Sequence, residues 1–421
     1  MTNANFSKEN KLASFVLAFA PLTEPYRLLG TNLSVLLIIF SSLFLALSKG
    51  KKFYINKTFI FFLLYSFLVP VFYGTKHGYT NSSFGFISTI AVFAAAYIII
   101  TPKANLSCIS HYLRILTNFA CIVFLAQEIS HLLWGVRFSG LLPFLQLKYD
   151  TSSMAEFIQG QINSDRSSSI FLEPSHFAEY ISLTLCLEMA NNNKNKKISS
   201  RYAIFLTFCL VILRSGTGLL IASFCWLFSY LGFDATISKK MVVTIALLLG
   251  AAFIIYLGMN TTSGQEMIGR TSELTLDKDY NTSGSKRLFR GYWVFADMPT
   301  EAQLLGVTTD GLVTAIDNSS ARALFTEGSY FLNNMHLLLI GTGILGTFLF
   351  FLSIFRGYSM IGFRGRILLW CFFILCMIEG FLFTTKMLLY MSLLEIIKIN
   401  NCNNNGSVVI SNKAMVFNAH R

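Results

Sequence analysis

Arg166-Ser167-Ser168-Ser169-Ile170-Phe171-Leu172-Glu173-Pro174-Ser175-His176-Phe177-Ala178-Glu179-Tyr180 is the stretch where a polar segment meets a strongly apolar one. It offers a cation, carboxylates and an imidazole within a few turns of chain. Pro174 suits the first turn of a helix, where a missing N–H leaves no hydrogen bond unmade. The spacing predicts a helix that starts near Glu173 and runs into a membrane. Glu173, His176 and Glu179 or Tyr180 then fall on one face, near the positive end of the helix dipole. Ionisable groups gathered at a membrane boundary mark where chemistry is to be sought.

Beyond this stretch, composition sets the class. The chain has 421 residues, 54% of them hydrophobic and only 13% charged, with a mean hydropathy of +0.57. That charged share is about half the value for a soluble domain. Apolar runs recur from end to end, so the fold class is all-α: a polytopic helical membrane protein, with residues 1–421 forming a single integral membrane domain. A β-barrel would instead alternate over about ten residues. The 41 Phe and 17 Tyr suit lipid-facing surfaces and interfacial belts. A net charge of +12 could suggest nucleic acid, but the Lys and Arg are spread among short loops, which is a topology signal. The 8 Cys form no CxxC pair, so neither a zinc site nor a disulfide framework is expected. The first apolar run lacks a small-residue cleavage site, and no cleavable signal peptide is expected.

Apolar segments fall near 12–23, 28–48, 58–73, 83–100, 109–134, 171–190, 201–214, 215–232, 241–259, 329–355, 366–380 and 382–398. They predict about 12 transmembrane helices, with the pair around Glu379–Gly380 either joined or separate. Lys49, Lys51, Lys52 and Lys57 make one basic loop, and Lys194, Lys196, Lys197 and Arg201 another. Lys239–Lys240 and Arg356, Arg364 and Arg366 make two more. Twelve spans put these on one side with both termini, and the positive-inside rule makes that side cytoplasmic. The opposite side receives the long outer loops 135–170 and 260–328. In the second, Leu288, Tyr292 and Phe295 have helix-like spacing, which predicts a short amphipathic helix plus turns over the membrane domain. The Asn-rich tail 400–421 is expected to be disordered.

Several residues could carry chemistry. Arg166 lies on the outer side, and Arg287 and Arg290 stand three apart where the second outer loop returns to the membrane. Outer positive charge runs against the topology rule, and guanidinium forks match phosphate oxygens. The alternative is that these arginines touch lipid headgroups or pair with Asp297 and Glu301. Glu173 is either a helix cap or a general base. His176 is either a structural histidine or a ligand, and Glu188 reads as a snorkelling interfacial residue. Arg214-Ser215-Gly216-Thr217-Gly218 reads as a tight turn between spans. Asn333-Asn334-Met335-His336 opens a span that continues into Gly341-Thr342-Gly343-Ile344-Leu345-Gly346. Gly343 and Gly346 have the spacing of close helix contact, and His336 could accept a proton or bind phosphate. No second His or Cys stands at ligand spacing, so no metal is expected. Arg114, Glu128, Glu379 and Lys386 are further ionisable groups inside or at the ends of apolar runs.

Taken in order, Arg166-x-x-x-Ile-Phe-Leu-Glu-Pro-Ser-His-Phe-Ala, the Ser215-Gly-Thr-Gly-Leu-Leu turn, Ser285-Lys286-Arg287, Leu304-Leu305-Gly306 and Asn333…Gly343-x-x-Gly346 resemble the O-antigen polymerase and ligase superfamily. The resemblance is to its polysaccharide-polymerase (Wzy-type) branch. It implies an inverting, metal-independent glycosyltransferase of the bacterial inner membrane, without cofactors. Such an enzyme moves a glycan from undecaprenyl diphosphate to a sugar hydroxyl on the periplasmic side. It also implies that Arg166 with Arg287 or Arg290, assisted by His176, holds the diphosphate. Glu173, Arg166 and His336 are the catalytic candidates. The expected partners are a lipid-linked oligosaccharide, the lipid bilayer and a chain-length regulator protein, not nucleic acid. The ligase branch expects His before the Asn, whereas Leu332 precedes Asn333 here, which favours polymerase over ligase. A lipid-linked oligosaccharide flippase or transporter is the reading from another class.

Overall fold

The computed structural model describes residues 6–28, 30–48, 52–53, 56–79, 84–147, 154–163, 166–190, 197–231, 283–325, 330–358, 360–404 and 417–418. It is mostly helical, at 77%. The first helices are α1 (Lys8–Thr23), α2 (Leu33–Leu47), α3 (Lys57–Lys76), α4 (Phe84–Ile100) and α5 (Leu106–Trp134). Then come α6 (Met154–Ile162), α7 (Pro174–Ala190), α8 (Lys197–Leu213) and α9 (Gly216–Leu231). Residues 283–325 hold α10 (Ser283–Asp297), α11 (Thr300–Leu305) and α12 (Leu312–Asp317). The chain closes with α13 (Asn334–Phe355), α14 (Gly362–Ile378) and α15 (Thr385–Asn404).

Polar residues set where many of these helices begin. Ser7, Asn32, Asn56, Asn105 and Asn333 each accept a first-turn N–H through the side chain. A cap of this kind satisfies a donor with no partner inside the helix. Gly135 ends α5 in the left-handed region at φ 69°, where glycine carries no Cβ penalty.

Among the described residues, four helices are long and apolar enough to cross a membrane. These are α3, α4 with its following turn, α5 and α13. α2 and parts of α8, α9 and α14 are shorter apolar helices. The expected segment 241–259 lies outside the described residues. The run around Glu379 is two helices, α14 and α15, and α15 continues past Asn400 to Asn404. Apolar exposure is ordered: Phe40, Phe44 and Leu47 line one stripe of α2, with Leu47 85% exposed. Such a stripe is costly in water and comfortable in hydrocarbon.

Alternate helix ends gather at two poles. At one, Asn56 Nδ2 donates to Glu395 Oε1 at 2.8 Å, Thr101 and Ser392 hydroxyls meet at 2.8 Å, and Lys103 reaches Leu45 O and Ser48. At the other, β1 (Tyr26–Leu28) pairs antiparallel with both β2 (Thr31–Asn32) and Gln146–Leu147. Burial raises the Tyr26 phenol above its usual value, and its oxygen accepts from Leu142 N at 3.2 Å. This ties the chain after α5 to the end of α1.

Residues 283–325 form a helix with two shorter ones and a 3-10 turn, as the spacing predicts for the helix at Leu288, Tyr292 and Phe295. Val294, Ala302, Val307 and Ile316 build a small core with Ile340 of α13. α13 is kinked at Gly343 (φ 69°, ψ −178°). The kink releases the carbonyls of Ile340 and Gly341, which accept instead from Val307 N (3.0 Å) and Thr308 N (2.9 Å). Gly343 is thus a close helix contact, since a Cβ there would lie 2.3 Å from Leu304 O in the last turn of α11, as well as the site of the kink. Gly346 also faces a neighbouring helix: a Cβ there would lie 2.9 Å from the Tyr65 ring of α3.

Candidate functional site

α5 has 29 residues, about 44 Å at the helical rise, against a hydrocarbon thickness of about 30 Å. Its last turns hold the Ser-rich part of the quoted stretch. Gln127 Nε2 donates to Ser169 O (3.2 Å) and Phe138 O (2.9 Å), while Ser169 N donates back to Gln127 Oε1 at 2.9 Å. Glu128 accepts from the N–H and hydroxyl of Ser167 and pairs with Arg137 at 3.5 Å. Gln161 of α6 donates to Phe171 O at 2.7 Å. Gly140 lies against Ser169, whose carbonyl oxygen would be 2.1 Å from a Cβ on it. The serines are thus clasps that fix the loop before the helix.

α7 starts at Pro174, as the proline predicts. Glu173 is exposed and accepts from Ser175 Oγ at 3.1 Å. One turn on, His176 is half-buried and Glu179 is 5% exposed. Lys386, near the start of α15, places Nζ 2.6 Å from Glu179 Oε2. It also lies in the field of Glu24 and Glu379. Glu24 Oε1 accepts from Thr385 N (3.1 Å) and Thr385 Oγ1 (2.8 Å), which closes the start of α15. Ligand atoms of His176, Glu179 and Glu379 lie within 4.8 Å of one another. That is close enough to share a cation, and the Lys386 ammonium takes this role. α1, α7, α14 and α15 thus bring carboxylates, an ammonium and an imidazole to one pole.

A small cavity with room for about one water opens there, lined by Pro21, Phe171, His176, Glu179, Tyr180, Leu183, Lys386, Leu389 and Tyr390. Its exposed lining is apolar, and the Glu179–Lys386 ion pair lies behind it. Tyr180 is held by its hydroxyl, which donates to Ala18 O at 2.7 Å.

The other sequence candidates lie elsewhere. Arg166 is half-buried, and its Nη1 donates to Arg214 O at 3.4 Å. Gly218 is the close contact of its turn, since a Cβ there would lie 2.7 Å from Leu210 and 3.1 Å from Ala178. Arg290 is 5% exposed, donates to Phe331 O and lies 4.4 Å from the Phe325 ring centroid. It fastens the end of the segment 283–325. The Arg287 side chain lies outside the described residues. His336 is fully buried, with Tyr292 edge-on at 4.6 Å. A Cβ on Gly291 would be 2.2 Å from the imidazole, so α10 sits directly on His336. Asn333 and Asn334 connect this patch to the cavity: Asn333 Nδ2 donates to Met377 O (2.7 Å), and Asn334 N donates to Glu379 O (2.8 Å). His176 thus shares the cavity with Glu179 and Lys386, His336 shares a second place with Arg290, and Arg166 stands beside the α8–α9 turn.

Glu188 corrects the sequence reading. It does not snorkel: it forms a two-point ion pair with Arg114, at 3.1 Å and 2.7 Å. Its side chain points into the bundle, where only a partner compensates a carboxylate. Glu188→Gln is expected to cost about 2 kcal/mol of stability, because a charged hydrogen bond is lost. Thermal unfolding in detergent checks this, and the cavity chemistry should be unchanged.

Sequence reasoning missed Arg137 and Glu24. Arg137 is 3% exposed and braces Ser167 through Nε at 3.1 Å. The available signal was a cation set between Val136 and Phe138, at the start of an outer loop. Comparison of the chain with protein-family models gave no match, and comparison with curated proteins gave none.

Proposed function

We propose that the chain is a polysaccharide polymerase: an inverting membrane glycosyltransferase that joins undecaprenyl-diphosphate-linked oligosaccharide repeat units. The observation that carries this reading is the buried Glu179–Lys386 ion pair at the stretch that resembles the polymerase branch, set behind a small apolar cavity. The apolar lining suits a lipid end. In the reaction, an acceptor hydroxyl attacks the anomeric carbon of the donor. The bond from that carbon to the diphosphate oxygen breaks with inversion, and undecaprenyl diphosphate leaves as an anion. Glu179 is better placed than Glu173 to orient the hydroxyl and take its proton, because it is buried against the cavity. Arg166 supplies the positive field for the leaving diphosphate, while Lys386, neutralised by Glu179, Glu24 and Glu379, holds Glu179 in place. Lys57, Lys103 and Arg356, at the opposite pole, favour about 12 spans with both termini cytoplasmic and the cavity periplasmic in a bacterial inner membrane.

Arg166→Ala is expected to lower polymer by about 100-fold or more in cells lacking the native gene, with single-repeat glycan still present. Full-length polymer from this variant removes Arg166 from the mechanism. One observation favours a second reading, a lipid-linked oligosaccharide flippase or transporter: buried ionisable groups among apolar helices are also how ion-coupled carriers are built. Single-repeat glycan at the surface of deleted cells separates the two, because a lost flippase would strand repeat units inside.

A further inference from the structure

Cys186 of α7, Cys225 of α9 and Cys371 of α14 converge inside the bundle. Cys186 Sγ lies 3.2 Å from Cys225 Sγ, and Cys225 Sγ lies 3.5 Å from Cys371 Sγ. All three sulfurs fall within 4.8 Å of one another, and each residue is 0% exposed. α7, α9 and α14 contact one another pairwise, so three separate backbones hold the cluster. The cysteines lie 39 and 146 residues apart along the chain, beyond the reach of any spacing motif.

We propose that this cluster binds a soft monovalent cation of the copper(I) class. Thiolate sulfur selects such ions over hard ones. Zinc in a closed structural site asks for four ligands, whereas three sulfurs complete a trigonal monovalent site. Metal–sulfur bonds of about 2.3 Å place trigonal sulfurs about 4 Å apart, so small side-chain rotations open the cluster to size. Cysteine ligates as thiolate, so each sulfur that binds the ion releases its proton to solvent.

A second observation points to a ligand here. The Tyr390 hydroxyl is buried, has no hydrogen-bond partner among the described residues, and lies within electrostatic reach of all three thiols. A phenol O–H beside a thiolate donates to it and fixes its charge. Tyr390 also lines the cavity described above. The inference does not rest on glycosyl transfer.

The test titrates the full-length protein in detergent, under anaerobic conditions with a non-thiol reductant, with copper(I) against a coloured competing chelator. One equivalent should be retained per chain. Binding should weaken at least 10-fold in Cys225→Ser and be unchanged in Cys108→Ser, whose sulfur is outside the cluster. X-ray absorption of the loaded wild type should show three sulfur neighbours, and this reading stands even where Cys225→Ser fails to fold. No retained equivalent, retention unchanged in Cys225→Ser, fewer than three sulfur neighbours, or a Cys186–Cys225 disulfide in protein isolated from cells each overturns the proposal.

Discussion

Lys386→Met is expected to be among the most damaging single changes in the protein, costing about 3–5 kcal/mol. The reason is the charge count at the cavity. Lys386 faces Glu179 directly and lies in the field of Glu24 and Glu379, so its removal leaves buried carboxylates facing one another. Glu179→Gln acts differently. It removes one charged hydrogen bond but leaves Lys386 with the remaining carboxylates, so stability should change by about 2 kcal/mol. Polymerisation should nevertheless fall about 100-fold or more, the usual scale for losing a general base. Thermal unfolding and polymer yield, measured on the same preparations, separate these outcomes. A stable Glu179→Gln protein that still makes full polymer would remove Glu179 from the chemistry.

The second large effect lies at the kink of α13. Gly306 (φ 83°, ψ 166°) and Gly343 (φ 69°, ψ −178°) both adopt a backbone conformation that is essentially restricted to glycine. Each also meets backbone: a Cβ on Gly306 would lie 2.5 Å from Thr342 C, and one on Gly343 would lie 2.3 Å from Leu304 O. Backbone cannot rotate aside as a side chain can. Gly343→Ala and Gly306→Ala should each cost about 3 kcal/mol or more, strain and displacement together. They should also loosen α10, and with it the cover over His336. Gly160→Ala is the control: it sits inside α6 with nothing within 4 Å of the added methyl, and should be neutral or stabilising by up to about 1 kcal/mol. Equal melting temperatures for all three variants would contradict this account of the kink.

The sequence announced the helices better than their contacts. Pro174 marked the start of α7 because a proline N1 position is a local rule that tertiary packing does not alter. Apolar runs located α3, α5 and α13 for the same reason. Which carboxylate of the quoted stretch turns inward was not legible, because it depends on how α7 is rotated against α14 and α15. Glu173 and Glu179 lie on the same helix end, yet only Glu179 meets Lys386, across 207 residues of chain. The arginines were read as phosphate-binding because outer cations are rare. Arg290 instead spends its guanidinium on Phe331 O and the Phe325 ring. The cysteine cluster could not be read at all: spacing motifs report neighbours along a helix or loop, not sulfurs delivered by three helices.

The most direct test reconstitutes the purified protein in liposomes with lipid-diphosphate-linked repeat units extracted from the parent cells. The account predicts a ladder of glycans of two or more units, with free undecaprenyl diphosphate released in step, from wild type but not from Glu179→Gln. Repeat units that cross the bilayer unchanged, with no ladder and no released diphosphate, would contradict it.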